Sequence, residues 1–334
     1  MGRNTGIDSL KGILIVLMII GHILQGNVMD NYSRFIIYSF HMPLFIGIAG
    51  YLLAGSSTFQ LSVNGFWIRI LKRPVWPWLI ALLAYSVLPN LSQVSGFREV
   101  LLLVGKCFVF PYHHLWFIPA YIGWILGTLF LYKLFKNPVI IFCFAFLISF
   151  AFYPVDHHLI FLDWVPRGYS LLHYIGRTFH LQFFFFFVLG FVSFREKSTF
   201  PLRVNLVLLF LLFWSYSFTS HNQIWVVAAP VYFVFNFTFV QVFFQLVREK
   251  KLPQFHLLSQ IGKNSLPVYL WHIFPVVYAG LMFPDYSDYK FYLLALVLEV
   301  ILIAVIIWMT RFPVIDRYLF GNFGSVKRIK TENK

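Results

Sequence analysis

Three ionisable side chains stand inside the first apolar run of the sequence. Asp8, Lys11 and His22 interrupt a stretch that is otherwise apolar from Ile7 to Gly26. A charged or ionisable group is costly in apolar surroundings, so each of the three is a candidate functional residue. Eleven helical residues turn the chain through about 1100°, and Lys11 and His22 therefore share one helix face, about 16 Å apart along the axis.

These residue types can transfer protons and bind anions. A neutral histidine can take a proton from a hydroxyl group, and His22 lies well inside the run, so we predict it as a general base. Lys11 has two interpretations. It contacts a substrate, or it extends toward lipid headgroups with Asp8, three residues earlier, as its ion-pair partner.

A second histidine, His41, lies in the next apolar run within the stretch Phe40–Phe45. If the two runs are antiparallel helices, His41 lies at about the depth of His22 and the two rings can face each other. We therefore predict His22 and His41 as catalytic residues, with His41 as the orienter or a second proton carrier. The alternative is that both are structural histidines.

Two further polar residues fall near the middle of late apolar runs, His272 and Glu299. Two interpretations stay open for them: they pair with each other, or they bind main-chain groups and tyrosine hydroxyls. We predict both as supporting polar residues of a substrate site.

Three cations, Arg69, Lys72 and Arg73, stand just before Pro74 and the start of an apolar run. They are either ordinary topology-determining charges or a site for a phosphorylated donor, since guanidinium groups bind phosphate oxygens well. Farther along, His114 and Trp116 open another run; they stack a sugar ring or anchor the helix in the membrane interface. We expect no metal, because the doublets His113-His114 and His157-His158 lack metal-ligand spacing.

The elements that carry these residues belong in a bilayer. Sixty per cent of the 334 residues are hydrophobic and 11% are charged, which is too apolar for a soluble protein of this size. A membrane-spanning helix needs roughly 20 mainly apolar residues. The sequence therefore predicts an all-α polytopic membrane protein, with one domain over residues 1–334 and about ten spans, at 7–27, 35–54, 74–90, 114–132, 137–155, 178–194, 203–219, 224–247, 265–283 and 290–310. The stretch Gly96–Phe110 is more typical of an interfacial or re-entrant segment.

The basic residues predict the orientation of these spans. Of the 26 Lys and Arg residues, 20 fall on one side of the predicted membrane, and that side is expected to be cytoplasmic together with both termini and a basic tail at 311–334. The other side holds Arg34, Arg98, Lys106, Arg167, Arg177 and Lys290. The net charge of +14 thus indicates topology, and we expect membrane lipid rather than nucleic acid as a partner.

Four stretches together resemble the acyltransferase-3 family of membrane acyltransferases. They are Ile7–Ile13 with Gly21-His22, Phe40–Phe45 with Gly50-Tyr51, His114–Pro119, and Gly262–Leu266 with Tyr269–His272. The likeness runs from residue 7 to about residue 310, in the expected order.

The resemblance implies a ten-helix enzyme of the plasma (inner) membrane that modifies polysaccharides. It takes an acyl group, usually acetyl from cytoplasmic acetyl-CoA, and places it on a hydroxyl of a carbohydrate such as O-antigen, capsule, exopolysaccharide or another glycan. The family pattern of a basic residue followed eleven positions later by histidine falls on Lys11 and His22. The chain is most similar to stand-alone members, including those labelled fucose 4-O-acetylase-like.

The resemblance also assigns roles. Lys11, Arg69, Lys72 and Arg73 are expected to bind the donor, whereas His114, Trp116, His272 and Glu299 are expected to contact the acceptor. The family's Arg-x-x-Arg cluster is only approximated by Arg69 and Lys72, followed by Arg73, which leaves open the cation that meets the donor phosphates.

Two other classes of protein compete with this interpretation. A secondary transporter also buries polar groups at matched depth, but it predicts inverted repeats with broken helices in corresponding halves, and the sequence shows none. A membrane scaffold or lipid-binding protein gives no functional reason for His22 and His41 inside the apolar runs.

The predicted orientation can be tested with single cysteines. Cysteines at Ser57 and Ser198 should react with a membrane-impermeant maleimide only from the cytoplasmic side, and a cysteine at Asp163 only from outside, because the basic residues place these loops on opposite faces. Labelling at Ser57 in intact cells would overturn the topology.

Overall fold

A computed structural model describes residues 4–56, 62–87, 96–109, 113–156, 175–176, 178–194 and 201–323. The three positions chosen for the topology test, Ser57, Ser198 and Asp163, lie outside these ranges, as does the doublet His157-His158. Every regular element within them is helical, which confirms the all-α prediction.

Fifteen α-helices follow one another along the described chain. They are α1 Thr5–Ile23, α2 Tyr32–Ala54, α3 Val63–Ile70, α4 Trp76–Val87, α5 Phe97–Val109, α6 Phe117–Phe135, α7 Pro138–Asp156, α8 Phe184–Ser193, α9 Leu202–His221, α10 Trp225–Arg248, α11 His256–Lys263, α12 Ser265–Trp271, α13 Ile273–Met282, α14 Tyr289–Met309 and α15 Pro313–Tyr318. A π-helical turn, Leu71–Val75, joins α3 to α4, and 3₁₀ turns at His113–Trp116 and Leu181–Phe183 precede α6 and α8.

Seven helical segments in the described ranges are long and apolar enough to cross a membrane. They are Thr5–Ile23, Tyr32–Ala54, His114–Phe135, Leu202–His221, Val226–Arg248, Ser265–Met282 and Tyr289–Met309. The chain is therefore a polytopic membrane protein, as predicted. The three remaining predicted spans coincide with α4, with α7 and with the short apolar segment Leu181–Ser193, and the count of ten stays a prediction.

The stretch predicted as interfacial or re-entrant forms helix α5, Phe97–Val109. Its apolar side chains Phe97, Leu101 and Leu102 are exposed, while Phe108 meets the indole of Trp78 edge-on, with ring centres 5.7 Å apart. Its position relative to the membrane surface stays a prediction.

Two compact units make up the fold, each from separate stretches of chain. The first comprises Met1–Gln25, Ser57–Ile118 and Gln254–Lys334, and the second comprises Gly26–Ser56 and Pro119–Pro253. We call them the histidine unit and the phenylalanine unit. The prediction of one domain over residues 1–334 remains a prediction.

The histidine unit is built on close contact between α1 and α11. Helix α1 begins at its cap Asn4, whose side chain accepts hydrogen bonds from the main-chain N–H groups of Gly6 and Ile7. A Cβ atom at Gly12 would overlap the carbonyl oxygen of Leu258, and one at Gly262 would overlap that of Asp8. Only glycine permits this approach of the two backbones, as in many membrane helix pairs.

The phenylalanine unit is held by contact between α2 and α8. Phe184, Phe185, Phe186 and Phe187 are all buried, so this aromatic run packs inside the unit. Hydrogen bonds accompany this packing. The side chain of Asn236 in α10 donates to the carbonyl oxygens of Ser39 in α2 and of Tyr232 in α10, at 2.9 and 3.1 Å.

The α1–α11 contact yields a stability prediction. Gly12→Ala and Gly262→Ala should each lower the free energy of unfolding by about 1–3 kcal/mol, because the added methyl group meets backbone rather than a movable side chain. Gly105→Ala is the matched control, since nothing lies within 4 Å of a Cβ at that position in helix α5. The control should be neutral or slightly stabilising. Thermal unfolding in detergent measures all three, and equal melting temperatures would refute the packing argument.

Candidate active site

A row of three imidazole rings lies inside the histidine unit. His22 comes from the last turn of α1, His114 from the 3₁₀ turn before α6, and His272 from the junction of α12 and α13. The ring centre of His272 is 5.1 Å from that of His22 and 5.1 Å from that of His114. Three stretches far apart in sequence thus meet at one site, which we call the histidine row.

His272 is the central and most deeply buried member, with no exposed surface. Its Nδ1 lies 2.7 Å from the carbonyl oxygen of Tyr269. A carbonyl oxygen can only accept, so Nδ1 carries the hydrogen and Nε2 carries the lone pair of the neutral ring. Nε2 is buried without a hydrogen-bond partner among the described residues.

The α12–α13 junction follows from a proline shortly after it. Pro275 has no N–H to donate to the carbonyl of Trp271 four residues earlier, so the regular helical pattern is interrupted at this point. The main chain passes through His272 as a turn with φ −62° and ψ −21° and continues as α13. The break places the His272 ring against the last turn of α12.

His114 is buried and held by α4 and α12. Its Nε2 lies 3.2 Å from the carbonyl oxygen of Leu270, and its ring centre lies 4.8 Å from that of Tyr85. The indole N–H of Trp78 donates to the carbonyl of Leu115 at 2.9 Å. Trp78 and Tyr85 are seven residues apart on α4, so one helix face positions the whole turn.

His22 is only half-buried, whereas the other two rings are buried. Its main-chain carbonyl accepts a hydrogen bond from the side chain of Gln25 at 3.0 Å, just beyond the end of α1. The half-buried ring is the member of the row that a substrate can reach most readily.

The remaining residues predicted for this unit are placed as follows. Lys11 lies 3.4 Å from a carboxylate oxygen of Asp8, which confirms that they pair, and both side chains are largely buried. Trp116 meets the ring of Phe117 edge-on at 6.0 Å, and Phe117 meets Tyr269 at 5.5 Å, so aromatic contacts connect Trp116 to the histidine row.

Glu299 lies on the buried stripe of α14 that also contains Phe291 and Ala295. Neither carboxylate oxygen has a hydrogen-bond partner in the described part of the chain. The sequence left open whether His272 pairs with Glu299 or binds main-chain groups. Its hydrogen bond goes to the main chain, and no described hydrogen bond connects it to Glu299.

His41 belongs to the phenylalanine unit. Its Nδ1 donates to the carbonyl oxygen of Ile37 at 2.7 Å, one turn earlier in α2, and its ring meets that of Tyr38 edge-on at 5.1 Å. The predicted role of His41 as partner of His22 stays a prediction.

The three predicted donor-binding cations occupy the α3 and π-helical segment. Arg69 is half-buried, and Lys72 and Arg73 are exposed. Pro74 lacks an N–H for the carbonyl of Ile70, and the backbone widens here so that Trp76 N–H reaches the carbonyl of Leu71. Such widened turns often accompany functional sites.

The segment after helix α15 covers the same π-helical turn. The indole N–H of Trp76 donates to the carbonyl of Tyr318 at 2.6 Å, and Lys72 Nζ lies 5.6 Å from the ring centre of Phe323. Gly321, with φ +72°, passes so close to the carbonyl oxygens of Lys72 and Arg73 that a side chain there would collide with them.

Sequence reasoning overlooked Tyr85 and Tyr269. Tyr269 precedes His272 by three residues and so shares its helix face, a signal that the sequence contains. Tyr85 carried no such signal, because only the fold brings α4 to the His114 turn. Within the described ranges, no group of three or more His, Cys, Asp or Glu side chains is arranged to hold a metal ion.

Fold and site together define a polytopic membrane protein whose interior holds a row of partly and fully buried imidazoles suited to proton transfer. The chain belongs to the acyltransferase-3 family, described as an acyltransferase domain, which matches residues 4–310. No solved structure matches it.

Two curated relatives share part of this sequence. Nodulation protein NolL of Sinorhizobium fredii is 34% identical over 128 residues, which are 35% of this chain and 34% of that protein. Nodulation protein NolL of Mesorhizobium japonicum is 33% identical over 135 residues, or 37% of this chain and 35% of that protein. The matched region thus spans about a third of the length of the curated relatives.

Proposed function

We propose that this protein is a membrane O-acyltransferase that moves an acetyl group from acetyl-CoA to a hydroxyl of a cell-surface or lipid-linked carbohydrate. The observation that carries the proposal is the position of His22: a half-buried imidazole whose ring centre is 5.1 Å from the buried ring of His272, in a chain of the acyltransferase-3 family. A base beside an apolar, protected site is what transfer to a weakly acidic hydroxyl requires.

In the proposed reaction His22 removes the proton of the sugar hydroxyl. The hydroxyl oxygen forms a bond to the acetyl carbonyl carbon, the carbon–sulfur bond of the thioester breaks, and the CoA thiolate receives the proton from His22. The half-buried indole of Trp116, which meets Phe117 edge-on, provides a face on which a sugar ring can stack. We assign His114 and Trp116 to the acceptor side.

The donor is proposed to bind at the α3 and π-helical segment. Arg69, Lys72 and Arg73 follow one another at helical i, i+3, i+4 spacing and offer cations to a polyphosphate, and two of them are exposed. The 20 basic residues predicted on one side support a cytoplasmic position for this segment and for both termini, in the plasma (inner) membrane. Lys11 is proposed as a further cation on the donor side, with Asp8 as its partner.

The general-base role of His22 has a direct test. His22→Ala should reduce acetyl transfer per folded molecule by at least about 10²-fold, because general-base assistance contributes about 10²–10⁴-fold. Acetyl-CoA binding should persist, since a small apolar residue replaces a ring near the end of a helix. The assay follows transfer of radiolabelled acetyl from acetyl-CoA to octyl fucoside, or to water, by the purified protein.

His256→Ala serves as the matched control, because His256 is an exposed histidine of the same unit. It should keep the turnover of the original protein. A His22→Ala protein with near-normal turnover would remove His22 from the reaction, and an original protein that releases no CoA from acetyl-CoA would remove the proposed activity.

The donor site is tested by charge removal. Arg73→Ala should weaken acetyl-CoA binding by roughly ten- to a hundredfold, because a charge-assisted hydrogen bond contributes about 1.5–3 kcal/mol. Arg203→Ala is the control, since Arg203 is also an exposed arginine at a helix start on the predicted cytoplasmic side. Calorimetric titration with acetyl-CoA measures both. Unchanged affinity in Arg69→Ala, Arg73→Ala and the double variant would leave these residues as topology signals only.

A further inference from the structure

We infer that His272 is the positioning residue of the base: its Nε2 accepts a hydrogen bond from His22 and so determines which His22 nitrogen faces the acceptor hydroxyl. The inference rests on the proposed function. It assigns to His272 an orienting role that the sequence had given to His41.

The neutral His272 ring carries its hydrogen on Nδ1. Its Nδ1 donates to the Tyr269 carbonyl at 2.7 Å, and the neutral ring has no second hydrogen. Nε2 therefore presents a lone pair, and it is fully buried with no hydrogen-bond partner among the described residues. A buried acceptor without a donor is energetically costly, so this nitrogen favours any N–H group that comes within reach.

The donor to His272 Nε2 comes from a neighbouring ring of the histidine row. Two rings flank His272 at equal centre-to-centre distances of 5.1 Å, those of His22 and His114. His114 uses its one neutral N–H at Nε2 for the Leu270 carbonyl, at 3.2 Å, so its Nδ1 has no hydrogen to give. The donor to His272 in a neutral row is therefore His22.

The distance between the His22 and His272 rings suits a hydrogen bond. An N–H···N bond of about 2.9 Å, with about 1.1 Å from each ring centre to its nitrogen, corresponds to ring centres about 5.1 Å apart. The observed separation is 5.1 Å, and the two rings are tilted by 48°. Rotation about χ2, which is broad for histidine, brings an His22 nitrogen into line without moving the helices.

The resulting chain of hydrogen bonds runs from the Tyr269 carbonyl through His272 and His22 to the acceptor hydroxyl. When His272 accepts the N–H of His22, the other His22 nitrogen carries the lone pair that receives the hydroxyl proton. That proton stays on His22 until the thiolate takes it, and His272 gains none. In many enzymes a third group orients the base that activates the nucleophile. Here we assign that role to the neutral His272 ring, which donates its own N–H to a main-chain carbonyl.

Two isosteric variants separate positioning from packing. His272→Asn places an amide nitrogen near the Nδ1 position, so it can keep the bond to the Tyr269 carbonyl but has no acceptor at the Nε2 position. His272→Gln places an amide oxygen near the Nε2 position and keeps that acceptor. We expect His272→Gln to stay within about tenfold of the original turnover and His272→Asn to lose about 10²-fold, with the KM for acetyl-CoA unchanged within about threefold in both.

The assay uses the full-length protein, acetyl-CoA and octyl fucoside, with turnover expressed per folded molecule. A second readout is the ¹⁵N spectrum of the His22 ring in protein labelled at histidine, which reports tautomer and hydrogen bonding without any turnover. One hydrogen-bonded N–H of His22 should be present in the original protein and in His272→Gln and lost in His272→Asn.

The outcomes decide separately on the inference and on the function. Turnover of His272→Asn equal to or above that of His272→Gln, an unchanged His22 spectrum in His272→Asn, or failure of both variants to fold would each overturn the positioning role. An original protein that neither acetylates octyl fucoside nor hydrolyses acetyl-CoA contradicts the proposed function instead, and the ¹⁵N spectra then still decide on the hydrogen bond.

Discussion

Main-chain carbonyl oxygens are the partners on which the buried histidines depend. In lipid and in a dry protein interior, an unpaired polar group is expensive, and helices satisfy most of their backbone groups internally. The carbonyls of Tyr269 and Leu270, in the last turn of α12, accept from His272 and His114, and the carbonyl of Ile37 accepts from His41. Each acceptor allows only one neutral tautomer of its histidine. The backbone thus determines where the lone pairs of these rings lie.

Much of the fold follows from the sequence, because apolar length is a strong signal in a membrane protein. The predicted spans coincide with described helices, and α1, α2 and α14 lie within a few residues of their predicted positions. The contact between α1 and α11 was not predictable in this way. Gly12 and Gly262 permit this contact, but they lie more than 200 residues apart, and the sequence contains no signal that their helices meet.

The site was only partly predictable. Helical periodicity correctly identified the Asp8 and Lys11 pair, since three residues along a helix bring side chains together. Depth in the membrane directed attention to His22 and to His41 as its partner, which stays a prediction, but it gave no sign of the His272 ring whose centre lies 5.1 Å from that of His22. Depth in a membrane locates a residue along one axis only. The helix that lies beside α1 at that depth is determined by packing, to which the break before Pro275 also contributes.

The two ends of the histidine row are not equivalent, because the three rings differ in burial. His114 and His272 are buried and hold their hydrogens on carbonyls, so neither is well placed to act as the base that takes the proton of the acceptor. His22 is half-buried, and its ring centre lies 5.1 Å from that of His272. In the proposed reaction, a proton collected at His22 lies next to a ring that can accept a hydrogen bond, and a charge is costlier on the fully buried ring than on the half-buried one. In the proposed reaction the proton therefore remains at the half-buried end of the row, where a leaving thiolate can take it, rather than passing into the protein interior.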